Sequence, residues 1–173
     1  MELFKQFKNV KAFAFDVDGV LTNGEVLVTD QGEQLRSFFI KDGYALQLAV
    51  KRGYPIVVIT GGKSDGVKLR LNGLGIDAVF LDVRDKGKVL QKWLRTTGLE
   101  SSELLFMGDD IPDLAVMKEA GLACCPSDAV EEVKAVSHYI SPFAGGRGAV
   151  RDVIEKVMKL QNRWDDDTTV KSV

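Results

Sequence analysis

Val10-Lys11-Ala12-Phe13-Ala14-Phe15-Asp16-Val17-Asp18-Gly19-Val20 decides the fold. Ala12-Phe13-Ala14-Phe15 is apolar at every position, the pattern of a strand buried on both faces. The run stops at two carboxylates one residue apart. Residues i and i+2 of an extended chain face the same way, and the bend at a strand's end lets Asp16 and Asp18 reach one small site. Carboxylates so close repel each other unless a cation or a shared proton relieves them. Gly19 lets the backbone turn closely past that site.

Four more apolar runs follow: Pro55 to Thr60, Ala78 to Leu81, Leu104 to Met107 and Leu122 to Cys125. Helical patterns separate them, over Asp42 to Arg52, Ser64 to Leu74, Lys86 to Thr97, Ile111 to Glu119 and, last, Arg147 to Gln161. Strands alternating with helices predict a central, mostly parallel sheet covered on both faces, a Rossmann-like three-layer α/β/α fold. One segment breaks the alternation. Residues 24–40 read as a β-hairpin inserted after the first strand, with strands Glu25 to Thr29 and Glu33 to Ile40 around Asp30-Gln31-Gly32. Val26 and Val28 point one way and Leu27 the other, so the hairpin needs cover, from its own domain or from a second copy of the chain. Residues 1–161 form one domain, and the polar stretch 162–173, with Asp165-Asp166-Asp167, reads as a solvated tail.

Composition narrows the class. With 173 residues, 45% hydrophobic and 28% charged, the chain is globular in type. Lys plus Arg number 23 against 25 Asp plus Glu, a net charge of −2, which argues against nucleic-acid binding. Cys124 and Cys125 are adjacent and poorly placed to bridge. No apolar run of about 18 residues exists to span a membrane, and no apolar signal core opens the chain. The expected setting is the cytoplasm.

The chemistry-bearing residues recur where strands end. Gly108-Asp109-Asp110-Ile111-Pro112-Asp113 follows the fourth run. Helix capping explains one of its aspartates and leaves two over. A site built from Asp16 and Asp109 suits Mg²⁺, a hard cation that takes one or two carboxylates, waters and a substrate phosphate. Thr60 precedes Gly61-Gly62, a hydroxyl beside backbone N–H groups that can cradle a phosphate. Gly62-Lys63-Ser64 is no P-loop, because Val57 stands where its first glycine belongs. Lys86 begins a helix, where its charge opposes the dipole and suits an anionic partner. In an open α/β sheet the carboxyl ends of the strands line one crevice, so Asp16, Asp18, Thr60, Lys86 and Asp109 converge there. The constellation is one for phosphoryl transfer.

These motifs, in this order, resemble the haloacid dehalogenase-like phosphatase superfamily: Asp-x-Asp-Gly, a Thr, a Lys, then Gly-Asp-Asp-x-x-Asp. The resemblance implies that Asp16 is the nucleophile and a metal ligand, and that Asp18 is the general acid/base and binds Mg²⁺ through its backbone carbonyl. Thr60 and Lys86 would hold the phosphoryl group, Asp109 would complete the metal site, and Asp110 and Asp113 would support it. The stretch between Asp16 and Thr60 holds only a hairpin and a helix, so the chain is similar to the cap-less subgroup. Within it, the resemblance implies a phosphorylated sugar acid as substrate, 3-deoxy-D-manno-octulosonate 8-phosphate of lipopolysaccharide precursor synthesis. A nine-carbon keto-deoxy sugar acid 9-phosphate is the alternative. It further implies a homotetramer with packed hairpins, and substrate contacts from Phe39, Ile40, Lys41, Asp42, Gly43, Gly61, Arg70 and Lys86. Gly145 to Arg151 is similar to the family's C-terminal signature. Gly62 stands where some members carry Arg, and Pro112 where others carry Asn. A receiver-like phosphorylation switch shares the Asp, Thr and Lys but does not need the second carboxylate at Asp18.

Overall fold

The computed structural model describes residues 2–171 and 173. Helix α1 (Glu2–Asn9) leads into β1 (Ala12–Phe15), and a hairpin of β2 (Leu27–Val28) and β3 (Gln34–Leu35) follows. Helix α2 (Ile40–Lys51), β4 (Ile56–Ile59), α3 (Asp65–Gly73), β5 (Ala78–Phe80), α4 (Lys86–Thr97) and β6 (Leu104–Met107) continue the alternation. The last elements are α5 (Leu114–Glu119), β7 (Leu122–Cys125), α6 (Glu131–Val136), β8 (Tyr139–Ile140) and α7 (Ala149–Leu160). The main sheet has the order β5-β4-β1-β6-β7-β8, and every pairing in it is parallel.

Strand residues alternate between two cores, as the pleat requires. Phe13, Phe15, Ile56, Val58, Leu105 and Met107 pack with α2 and α7 on one face. Ala14, Val57, Ile59, Leu104 and Phe106 pack with α4, α5 and α6 on the other. Because both faces are covered, the strands read as unbroken apolar runs. From β1 the chain crosses to β4 on one side, and it later returns to β6 on the other. The loops leaving these three strands meet at that switch point.

Three features differ from the sequence reading. The hairpin is paired over far fewer residues than expected, with Leu27 opposite Leu35 and Val28 opposite Gln34, plus one bridge from Thr22 to Phe38. Leu27 and Val28 are 67% and 62% exposed, so no packing within the chain extends the ladder. Helices α1 and α6 and strand β8 were not expected; β8 is two residues long, too short for any periodicity to show. The tail, though largely exposed, is docked over its described residues. It lies along α2, where Tyr44 Oη donates to the Asp167 carbonyl at 3.1 Å and Lys51 Nζ reaches Asp167 Oδ2 and Thr169 Oγ1 at 2.7 Å each. Trp164 meets Tyr44 edge-on, beneath the Arg151 guanidinium. A polar tail docks here because the rim of α2 supplies partners of complementary charge and hydrogen-bonding capacity.

Candidate active site

Asp16 sits one residue past β1. Its backbone N–H donates to the Met107 carbonyl at 3.1 Å, which ties it to β6, and its Oδ1 accepts from Val17 N–H at 2.7 Å. The chain then turns tightly, with the N–H groups of Val20, Leu21 and Thr22 all directed at the Val17 carbonyl. Gly19 has φ +78°, and a Cβ there would lie 1.9 Å from Asp109 Oδ2. Only glycine lets the loops after β1 and β6 come this close. The 145–148 segment braces the turn from outside, where Gly146 N–H donates to the Val20 carbonyl at 2.9 Å.

Thr60 is buried at the end of β4, and its hydroxyl accepts from Gly62 N–H at 3.0 Å. Lys86 opens α4 behind Asp85, whose side chain caps the helix by accepting from Lys88 N–H. The Lys86 side chain is only 6% exposed, and its Nζ lies 2.9 Å from Asp16 Oδ2 and 2.7 Å from Asp113 Oδ1. Asp113 Oδ2 accepts from Asp109 N–H at 3.1 Å, and Asp110 caps the following turn through Ile111 N–H at 2.8 Å. Carboxylate oxygens of Asp16, Asp109 and Asp113 all lie within 4.8 Å of one another.

Burial, then the charge of Asp113, pushes Asp16 up to about 6, although Lys86 pulls the other way. Burial, then Asp16, Asp113 and Asp110, pushes Asp109 up to about 7. Lys86 is pulled down by burial, but Asp16 and Asp113 more than offset this and hold it above the usual lysine range. Asp109 Oδ1 is buried without a hydrogen-bond partner. Asp113 already spends one oxygen on Lys86 and the other on Asp109 N–H. A divalent cation therefore fits between Asp16 and Asp109, where it relieves the repulsion and partners the orphaned oxygen.

A pH dependence follows. Free aspartates titrate near 3.9, so between about 4 and about 7 the cation-free folded chain holds protons at Asp16 and Asp109 that the unfolded chain has lost. Without cation, these two groups make stability fall as pH rises through that window. Cation binding needs both carboxylates ionised, so Mg²⁺ stabilises the fold more at pH 8 than at pH 5. Thermal melts at both pH values, with and without Mg²⁺, check this; an equal Mg²⁺ shift at both would contradict it.

The strand ends enclose a cavity of about 470 Å³ lined by Asp16, Asp18, Thr60, Gly61, Lys86 and Asp109. Gly24, Gly62, Val83, Arg84, Asp110 and Pro112 complete its wall. The expected residues Phe39, Ile40, Lys41, Asp42, Gly43 and Arg70 do not line the cavity of their own chain. Helix α2 begins at Ile40, two residues before the expected Asp42, so residues 40–43 form its first turn. Asp42 is buried there and accepts from Arg151 N–H at 2.9 Å, holding α2 to α7. Arg70 turns instead to the Val173 carbonyl. The sequence reading missed Arg36, which pairs with Asp18. It lies in no motif, and the glycine at 62 was the one sign of space nearby.

This is the site of a hydrolase built on an α/β sheet, and residues 82–154 match the haloacid dehalogenase-like hydrolase family. The 3-deoxy-D-manno-octulosonate 8-phosphate phosphatase of Escherichia coli strain K12 is 30% identical over 165 residues, 95% of this chain and 88% of that protein. The crystal structure of the Yersinia pestis enzyme of the same name is 30% identical and superposes with a TM-score of 0.91 over 94% of this chain and 88% of that one. The Moraxella catarrhalis enzyme, solved with magnesium, phosphate and the sugar acid KDO, is 37% identical, with a TM-score of 0.90 over 93% of this chain and 92% of that one. The chain belongs to the 3-deoxy-D-manno-octulosonate 8-phosphate phosphatase family of haloacid dehalogenase-like hydrolases.

Proposed function

We propose that the protein is a cytoplasmic, Mg²⁺-dependent phosphomonoesterase that converts 3-deoxy-D-manno-octulosonate 8-phosphate to the free sugar acid and phosphate. The observation that carries this reading is the approach of Asp16, Asp109 and Lys86 around one point of the cavity. An Asp16 oxygen attacks phosphorus, the bond to the sugar oxygen breaks, and Asp18 gives that oxygen a proton. Water then attacks the aspartyl-phosphate, Asp18 takes its proton, and phosphate leaves with Asp16 restored. Thr60, the N–H groups of the following glycines and Lys86 hold the phosphoryl oxygens. The ion, held by Asp16, Asp109 and the Asp18 backbone carbonyl, supplies positive charge against the gathering oxyanions.

The exposed hairpin supports a homotetramer in which Leu27, Val28 and Leu35 pack against other copies. Phe39, Ile40 and Lys41 then contact sugar across a boundary between copies, since they do not reach the cavity of their own chain.

Phosphate release from a panel of sugar-acid phosphates, with and without Mg²⁺, tests the function, and sedimentation of the same sample tests the assembly. The eight-carbon 8-phosphate is the preferred substrate, and turnover requires the ion. Preference for a nine-carbon 9-phosphate would replace the substrate but keep the chemistry. Turnover unaffected by chelation, or a monomer at assay concentration, would overturn the corresponding part.

A further inference from the structure

Arg36 takes no part in the steps above, yet it grips the carboxylate that transfers the proton. It follows β3 at the hairpin's stem, and its side chain is 6% exposed. Nε donates to Asp18 Oδ1 at 2.6 Å and Nη2 to Asp18 Oδ2 at 3.2 Å, while Nη1 donates to the Gln34 carbonyl at 3.2 Å. Among the described residues no other group hydrogen-bonds to the Asp18 carboxylate. A two-pronged contact sets both the position and the plane of a carboxylate, which one prong does not. The Gln34 contact in turn anchors the guanidinium to the hairpin backbone.

Gly62 leaves room beside this pair. A Cβ on Gly62 would lie 3.2 Å from Asp18 Oδ2, 3.3 Å from Arg36 Nη2 and 3.4 Å from Thr60 Oγ1. Carboxylate, guanidinium and hydroxyl thus surround one spot at the rim of the cavity, and a side chain at 62 would crowd Asp18 and Arg36 and touch the Thr60 hydroxyl. Asp18 itself stands in a loop with its side chain 35% exposed, where an untethered carboxylate samples several rotamers.

We infer that Arg36 is a positioning residue for Asp18: the hairpin's stem holds that carboxylate in the plane from which it takes the proton of the attacking water. The inference rests on the acid/base role of Asp18 in the proposed function. Small misplacements of a catalytic group are costly, and general acid–base catalysis contributes about 10²–10⁴-fold in all.

The test uses the full-length protein with Mg²⁺ and p-nitrophenyl phosphate, whose leaving group departs without a proton. In Arg36→Ala, kcat falls about 10- to 100-fold, a part of that range, and KM falls with it, so that kcat/KM holds. A stoichiometric burst of nitrophenolate precedes the slowed turnover, because only breakdown of the aspartyl-phosphate has slowed. Arg36→Lys, with one prong, falls between, and it carries the test if the alanine variant does not fold. An unchanged kcat, a raised KM alone, or a burst lost together with turnover would each overturn the inference. Wild-type protein releasing no phosphate, or Asp18→Asn matching wild type, would overturn the parent reading and this one with it. An inert Arg36 in an enzyme that needs Asp18 overturns this one alone.

Discussion

Asp16→Asn abolishes turnover, with a loss on the order of 10⁴-fold or more, as expected when a nucleophile is removed from machinery that acts as a unit. The amide cannot attack phosphorus, and it contributes less charge to a cation. The same change does not unfold the chain. Asp16 is buried beside Asp113 and near Asp109, and its ionised form is already disfavoured there. Its replacement gives up one Lys86 contact but also removes a repulsive charge while keeping the shape, and Lys86 keeps Asp113, so the melting temperature without Mg²⁺ changes little. Activity and melting are measured on one preparation. Substantial residual hydrolysis would refute the assignment of the nucleophile, and collapse of the fold would refute the electrostatic account.

Lys86→Met has the second large effect, and it strikes stability and activity together. Lys86 Nζ stands between Asp16 and Asp113, and the Asp113 side chain is 1% exposed. Methionine fills much the same volume but leaves Asp113 facing Asp16 with no cation between them. Breaking a buried pair from one side costs about 3–5 kcal/mol. Urea denaturation without Mg²⁺ measures the loss. The variant also lacks the charge that holds the phosphoryl oxygens, so added Mg²⁺ restores part of the stability and little of the rate. A variant as stable as wild type would show that Asp113 finds another partner.

The contrast between these substitutions explains why parts of the site were legible in the sequence. Asp16, Thr60, Lys86 and Asp109 each stand where an apolar run ends or a helix starts, and a parallel sheet brings such positions to one edge. Asp113 was harder to read. From sequence it was, with Asp110, a support of the metal site and no more; in space it neutralises Lys86 and orients Asp109 N–H. Residues 39–43 misled for a related reason. Asp42 was expected to open a helix and contact substrate, but α2 begins two residues earlier, at Ile40, and turns that carboxylate inward to Arg151 N–H. The tail misled because its composition is that of solvent-exposed chain, while its partners Tyr44, Lys51 and Arg52 belong to α2 and the residue after it.

By itself the sequence determined the sheet, its two covered faces and the rim at which chemistry gathers. Those depend on periodicity and on where apolar runs stop, which are local properties of the chain. Only the tertiary structure decided that Arg36 grips Asp18, that Lys86 separates two aspartates and that the tail lies on α2. Each of these joins groups distant in sequence, and whether they meet depends on side-chain packing and charge pairing that no local pattern encodes.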